Sequence, residues 1–296
     1  MGKRPLMEST PTGASVAVLP DAESLAVAAA TVIAEEARRA VESAGRFSIA
    51  LAGGSTPRPV YELLSTPPLA DQMPWRETEV FWGDERCVDP VDPRSNEHMA
   101  REALLDHVPI PARQVHPMRC AGLGVADAAG AVRYGEGAAH RAADEYERLL
   151  RRLFAGGGPE KPPAPGPDLV LLGLGDNGHT ASLFPGSGSV DEKERWVVAA
   201  LEDLDTAAAT SGTGERLWRV TLSAPFINRA ALVLFVVSGA SKAAAVKGVL
   251  QGEGDPHELP ARLIHPPAGR LWWLLDKEAA SQLKAVAGRD DASTSI

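Results

Sequence analysis

Residues 47–52, 79–82, 168–172 and 231–237 are short apolar runs, and each reaches a glycine within two residues, at Gly53, Gly83, Gly173 and Gly239. Runs of this length and character read as strands buried on both faces. Helical patterns lie between them. Asp21 is placed to cap a helix that carries Leu25, Ala29, Val32, Ile33 and Glu36 and stops at Gly45. Pro57 opens a helix over 59–64, Ser95 caps one through Met99, Ala103 and Leu104, and 145–154 and 239–250 complete the set. Further strands are predicted at 196–200, 217–222 and 271–275. Strand alternating with helix predicts an α/β fold, a mostly parallel sheet with helices on both faces. In open sheets of this kind, ligands bind at the carboxyl ends of the strands, where the glycines stand.

The chain has 296 residues, enough for one large core. No linker clearly divides it, so a single catalytic domain over 15–285 is expected, between a flexible arm at 1–14 and a flexible tail at 286–296. Residues 161–167 read as an extended proline-rich connection, and 203–215 as a mobile loop able to cover the site. A net charge of −9 argues against nucleic-acid binding, which needs a clustered basic face, but allows a small anionic ligand in a local pocket. No run is long and apolar enough for a bilayer, and the first twelve residues lack a signal-peptide core. Cys87 and Cys120 show no metal or redox spacing. Of a disulfide and two free buried thiols, the thiols are the expectation, in keeping with a cytoplasmic protein.

Gly173-Leu174-Gly175-Asp176-Asn177-Gly178-His179 delivers an imidazole just past a strand end. A group that titrates near neutrality suits a general base there. A loop histidine with no such role would be the better reading of an isolated Gly-x-His, but the continuation Thr180-Ala181-Ser182-Leu183-Phe184-Pro185-Gly186 is unusually long and specific. Gly53-Gly54-Ser55-Thr56-Pro57 offers backbone N–H groups and two hydroxyls at a helix start, which suits a phosphate. Alone it is as well explained by an ordinary tight turn. Gly83-Asp84-Glu85-Arg86 reads as a charged turn anchored by Phe81-Trp82. Arg86 could fork onto an oxyanion, with Asp84 or Glu85 holding it. Lys242 falls at a helix start after Gly239, and Arg219 is a charge within an apolar strand, where it needs a partner. His98, His107, His116, His257 and His265 show no metal-ligand spacing and are assigned structural or surface roles.

From about 16 to 280 the chain resembles the glucosamine-6-phosphate isomerase/6-phosphogluconolactonase family. The motifs are Leu51-Ala52-Gly53-Gly54-Ser55-Thr56-Pro57, Phe81-Trp82-Gly83-Asp84-Glu85-Arg86, Ser95-Asn96, Gly178-His179-Thr180-Ala181-Ser182-Leu183-Phe184-Pro185, Arg219-Val220-Thr221-Leu222 and Ser238-Gly239-x-x-Lys242. The resemblance implies a Rossmann-like fold of the glucosamine-6-phosphate deaminase type. It implies hydrolysis of 6-phospho-D-glucono-1,5-lactone in the oxidative pentose phosphate pathway, with no metal and no cofactor. His179, Arg86 and Asp84 are then the catalytic residues, and Gly53, Gly54, Ser55, Thr56, Lys242, Arg219 and Asn177 the substrate and phosphate contacts. Loose association with glucose-6-phosphate dehydrogenase is a further expectation; a nucleic acid or a membrane is not.

Two rival functions stand beside this one. A deaminase of the same fold is disfavoured by Arg86, where those enzymes place tyrosine, and by Thr180 to Pro185, where they carry Ile-Ala-Phe-Asn-Glu-Pro. A non-catalytic sugar-phosphate binder draws support from Asn177, because the family shows Asp-Gly-His there. Either Asp176 substitutes through a shifted turn, or the base is weaker. Arg262, where many relatives carry a small polar residue, is either a ligand contact or surface.

Overall fold

The computed structural model describes residues 7–10, 13–120, 122–126, 132–154, 166–202 and 217–284. In chain order the strands and helices are β1 (Glu8–Ser9), β2 (Ser15–Leu19), α1 (Ala22–Ala44), β3 (Phe47–Leu51), α2 (Pro57–Leu64), β4 (Thr78–Trp82), β5 (Asp84–Arg86), α3 (Asn96–Ala103), β6 (Val125–Ala126), β7 (Val132–Arg133), α4 (Glu136–Phe154), β8 (Leu169–Leu172), β9 (Val197–Leu201), β10 (Trp218–Leu222), α5 (Ala224–Ile227), β11 (Leu232–Val237), α6 (Ala243–Gln251) and β12 (Arg270–Asp276).

Seven strands form the main sheet in the order β1-β2-β12-β11-β8-β3-β4. Every pairing in it is parallel except β1 with β2. Its central strands β3, β8 and β11 are buried at every position, which explains why they read as continuous apolar runs. Phe235 and Trp273 are register partners on β11 and β12, and their rings stack 3.8 Å apart. Where β3 and β8 begin, the Asp168 carboxylate accepts both the backbone N–H and the hydroxyl of Ser48, at 2.7 and 2.6 Å. Helix α1 packs along β2, β3 and β12, and α4 packs against β9 and β10.

The helix starts follow local chemistry. Asp21 accepts the Ser24 N–H at 2.8 Å, and Gly45 closes α1 in the left-handed region. Ser95 accepts the His98 N–H at 3.1 Å. Pro57 is the first residue of α2. Helix α4 begins earlier than predicted, at Glu136.

Three expectations need correction. The segment 83–86 is not simply a turn. The chain leaves the main sheet at Gly83, whose N–H donates to Leu51 O and whose carbonyl accepts from Leu222 N–H, both at 2.8 Å. Residues 84–86 then pair antiparallel with β10, and β10 pairs with β9, in a separate sheet ordered β5-β10-β9. Second, Cys87 and Cys120 are not free thiols but a disulfide, with Cα atoms 5.2 Å apart. Pairing of Cys87 N–H with Trp218 O carries β5 on to this point, beside the segment that follows α3. Third, Glu8 and Ser9 of the expected arm pair with β2. The loop 203–215, most of the 161–167 connection and the tail 286–296 lie outside the described residues. Among those described, no helix is long and apolar enough to cross a membrane.

Candidate active site

The carboxyl ends of β3, β8 and β11 and the start of β5 enclose an open cleft of about 360 Å³. Its walls include Gly53, Gly54, Ser55, Thr56, Asp84, Arg86, His179, Arg219 and Lys242, so the structure brings these sequence-selected residues together. Asn177 is not on the wall.

Asn177 lies against His179 instead. Its side-chain oxygen accepts the His179 backbone N–H at 3.2 Å and meets ring Nδ1 at 2.6 Å. A backbone N–H can only donate, so the atom it faces must be the amide oxygen. That oxygen in turn requires a proton on Nδ1, leaving Nε2 with its lone pair. The ring rests on Gly175, where any Cβ would overlap it. The turn closes through Gly175 N–H to His179 O at 2.8 Å and the Thr180 hydroxyl to Gly173 O at 2.9 Å. Ala181, next on the cleft wall, adopts φ 46°, a strained conformation for a residue with a Cβ. Ser182 N–H donates to Thr221 Oγ1 at 3.1 Å, so a hydrogen bond to β10 holds the strained turn. Burial, with Arg219 adding positive charge nearby, pushes the His179 pKa down to about 4; Asp84 and Glu202 pull the other way. The imidazole is therefore neutral at pH 7.

Arg86 is held differently from the expectation. Its guanidinium donates to the Asn96 side-chain oxygen and to Arg94 O, not to a carboxylate. Asn96 is wedged against Gly53, where a Cβ would collide with it, and its amide donates to Asp84 O at 2.8 Å. Glu85 turns inward and accepts the backbone N–H groups of Arg86, Asn96 and Glu97, each at 2.7 Å, and the Ser95 hydroxyl at 3.0 Å. Burial still raises its pKa to about 7 against those donors. Asp84 accepts the Ser182 hydroxyl at 2.6 Å and lies 3.8 Å from Arg219. Arg219 finds its principal partner in Glu202, at 2.5 Å. Glu85, expected as a possible holder of Arg86, binds the start of α3 instead, and Asn96 and Glu202 were not singled out by sequence reasoning. For Asn96 a signal existed, because it follows the N-cap Ser95 within one of the family's motifs.

Also on the cleft wall, Thr56 precedes α2 and its side chain makes no capping bond, while Ser55 is exposed. Lys242 immediately precedes α6, and its Nζ lies 2.5 Å from Asp176 Oδ1. The same oxygen accepts the Ser241 hydroxyl at 3.2 Å. Burial opposes ionisation of Asp176, but the Lys242 bond holds its pKa below the ordinary carboxylate value. Asp176 therefore does not replace Asn177 at the imidazole. Arg262 is not on the cleft wall, and its Nη1 lies within hydrogen-bond distance of the Gly248, Val249 and Gly252 carbonyls at the end of α6. Among the described residues, no cluster of three or more His, Cys, Asp or Glu side chains is placed to hold a metal ion.

The model of the glucosamine-6-phosphate isomerases/6-phosphogluconolactonase family matches residues 20–273. The chain belongs to this family. A 6-phosphogluconolactonase of Nostoc sp. is 39% identical over 269 residues, covering 91% of this chain and 98% of the relative. One of Mycobacterium tuberculosis is 38% identical over the same shares. Among solved structures, the 6-phosphogluconolactonase of Trypanosoma brucei matches with a TM-score of 0.75 and 31% identity over 94% of this chain and all of that one. A monomeric glucosamine-6-phosphate deaminase, 21% identical with a TM-score of 0.71, shares the fold. The Rossmann-like fold inferred from the family motifs is thus the observed one.

Proposed function

We propose that this family member hydrolyses 6-phospho-D-glucono-1,5-lactone to 6-phospho-D-gluconate, the lactone-opening step of the oxidative pentose phosphate pathway. The arrangement around His179 carries the reading. The imidazole has Nδ1 satisfied by Asn177, and it lines the same cleft as Arg86, Lys242 and the 53–56 turn. The lactone carbonyl is attacked by water, and Nε2 takes the proton that the water loses. The imidazolium then protonates the ring oxygen as the carbon–oxygen bond breaks. A positioned base of this kind contributes roughly 10²- to 10⁴-fold, sufficient for an ester that already opens in water.

Arg86 stabilises the oxyanion of the tetrahedral intermediate by charge-assisted hydrogen bonds. Asp84, buried beside Arg219, offsets the positive charge that appears on the imidazole in the same step. Lys242, the 53–56 backbone and the Ser55 and Thr56 hydroxyls hold the phosphate, which positions the carbonyl for attack. Asn177 orients the base and does not touch the substrate.

The test is a pH-controlled assay on freshly made lactone, corrected for spontaneous opening, with the wild type beside His179→Ala. The variant is expected to lose most of kcat while still binding 6-phosphogluconate. Turnover near that of the wild type removes His179 as the base. Ammonia released from glucosamine 6-phosphate would instead place the chain with the deaminases.

A further inference from the structure

Lys242 is already engaged by an anion of the chain itself. Its Nζ is 2.5 Å from Asp176 Oδ1, and Ser241, next to it in sequence, donates to the same oxygen at 3.2 Å. Of the other two permanent cations on the cleft wall, Arg219 is paired with Glu202 and buried, and Arg86 is held by the neutral Asn96 amide. Lys242, the cation assigned to the phosphate, is thus the one on this wall that stands at a helix start and already carries a carboxylate.

We propose that Asp176 is an internal anion that competes with the substrate's phosphate for Lys242, and so sets how tightly the phosphate is held. The inference rests on the phosphate reading of Lys242 and adds to it a residue that tunes phosphate affinity. An ammonium group has three donors and can in principle serve both partners. Two anions on one ammonium lie within a few ångström of each other, however, and a dianionic phosphate repels the carboxylate it joins. Asp176 has somewhere to go: 58% of its side-chain surface is exposed, against 24% for Lys242. Phosphate binding therefore breaks, or weakens, an ion pair and the Ser241 bond. The pair lowers affinity without blocking the site, and its removal acts on the scale of an exposed ion pair, about threefold.

The variant Asp176→Asn keeps the size of the side chain and removes its charge. Two constants are read in the full-length protein at one ionic strength: KM for the phosphorylated lactone, and Ki for inorganic phosphate as a competitive inhibitor. Both are expected to fall about threefold, with no accompanying rise in kcat. In a Lys242→Ala background the same substitution is expected to leave Ki unmoved. A KM that rises in Asp176→Asn means that the carboxylate orients Lys242 for the ligand, and it overturns the proposal. So does an unchanged Ki in a protein that inorganic phosphate does inhibit. Failure of inorganic phosphate to inhibit wild type and Lys242→Ala alike overturns the phosphate reading itself.

Discussion

The side-chain oxygen of Asn177 accepts two hydrogen bonds from His179, one from the backbone N–H at 3.2 Å and one from ring Nδ1 at 2.6 Å. One amide thereby fixes both the tautomer and the orientation of the base without adding a charge. An aspartate would make the same two bonds and would also favour the imidazolium. The difference appears in the pH profile. A base works in its unprotonated form, so activity is present above its pKa and lost below it. With His179 held down to about 4, kcat/KM for the wild type, referred to the dianionic form of the substrate, is expected to stay level between about pH 5 and 7 and to fall below about pH 4. In Asn177→Asp the acid limb is expected to move up by about 1–3 pH units, the usual effect of an opposite charge at hydrogen-bond distance. An acid limb in the same place in both proteins would show that this contact does not govern the base.

Lys242→Ala is expected to act on the other end of the substrate. Loss of a charge-assisted contact of this kind costs about 1.5–3 kcal/mol, which corresponds to a rise in KM of roughly 10- to 100-fold. The effect on kcat is expected to be smaller, because the ammonium is assigned to the phosphate and not to the reacting carbonyl. Steady-state kinetics separate the two. An unchanged KM removes Lys242 from the phosphate contacts.

What could be read in advance was what is local in sequence. The strand that ends at Gly173 and the turn that delivers His179 are encoded within a dozen consecutive residues. The caps at Asp21, Ser95 and Pro57 depend only on their own helices. The second sheet was not legible, because β5 is three residues long and its partner β10 lies more than 130 positions away. Gly83 marks the exchange between the two sheets, but a glycine after an apolar run looks the same whether the chain turns or changes partner. Arg86 illustrates the same limit. Adjacent carboxylates looked like its natural partners, yet β5 turns Glu85 toward the start of α3, and Asn96 is left to hold the guanidinium.

Asn96→Ala tests that arrangement. The side chain bridges Arg86 and the Asp84 carbonyl and packs on Gly53, so its loss frees the proposed oxyanion clamp and loosens the 53–56 turn. The expected result is a fall in kcat of about 10²-fold, in the range found when one oxyanion donor is removed, together with a smaller rise in KM. In the Arg86→Ala background the same substitution is expected to cost kcat little more, since both changes remove one clamp. Additive losses in kcat would mean that Asn96 acts on the reaction independently of Arg86.

Arg262→Ala separates a structural guanidinium from a catalytic one. Helix α6 ends at Gln251, and the last carbonyls of any helix lack partners within it. One nitrogen of Arg262 is within hydrogen-bond distance of three carbonyl oxygens here, at 2.9, 3.3 and 2.5 Å, and its charge complements the negative end of the helix dipole. Removing it is expected to cost about 1–2 kcal/mol of stability, or a fall of about 2–3 °C in Tm for a chain of this size. Arg262 is not on the cleft wall, so KM and kcat measured well below Tm are expected to stay close to the wild-type values. Thermal unfolding and steady-state kinetics on the same preparation decide the matter. An unchanged Tm with a raised KM would move Arg262 from the helix end to the ligand.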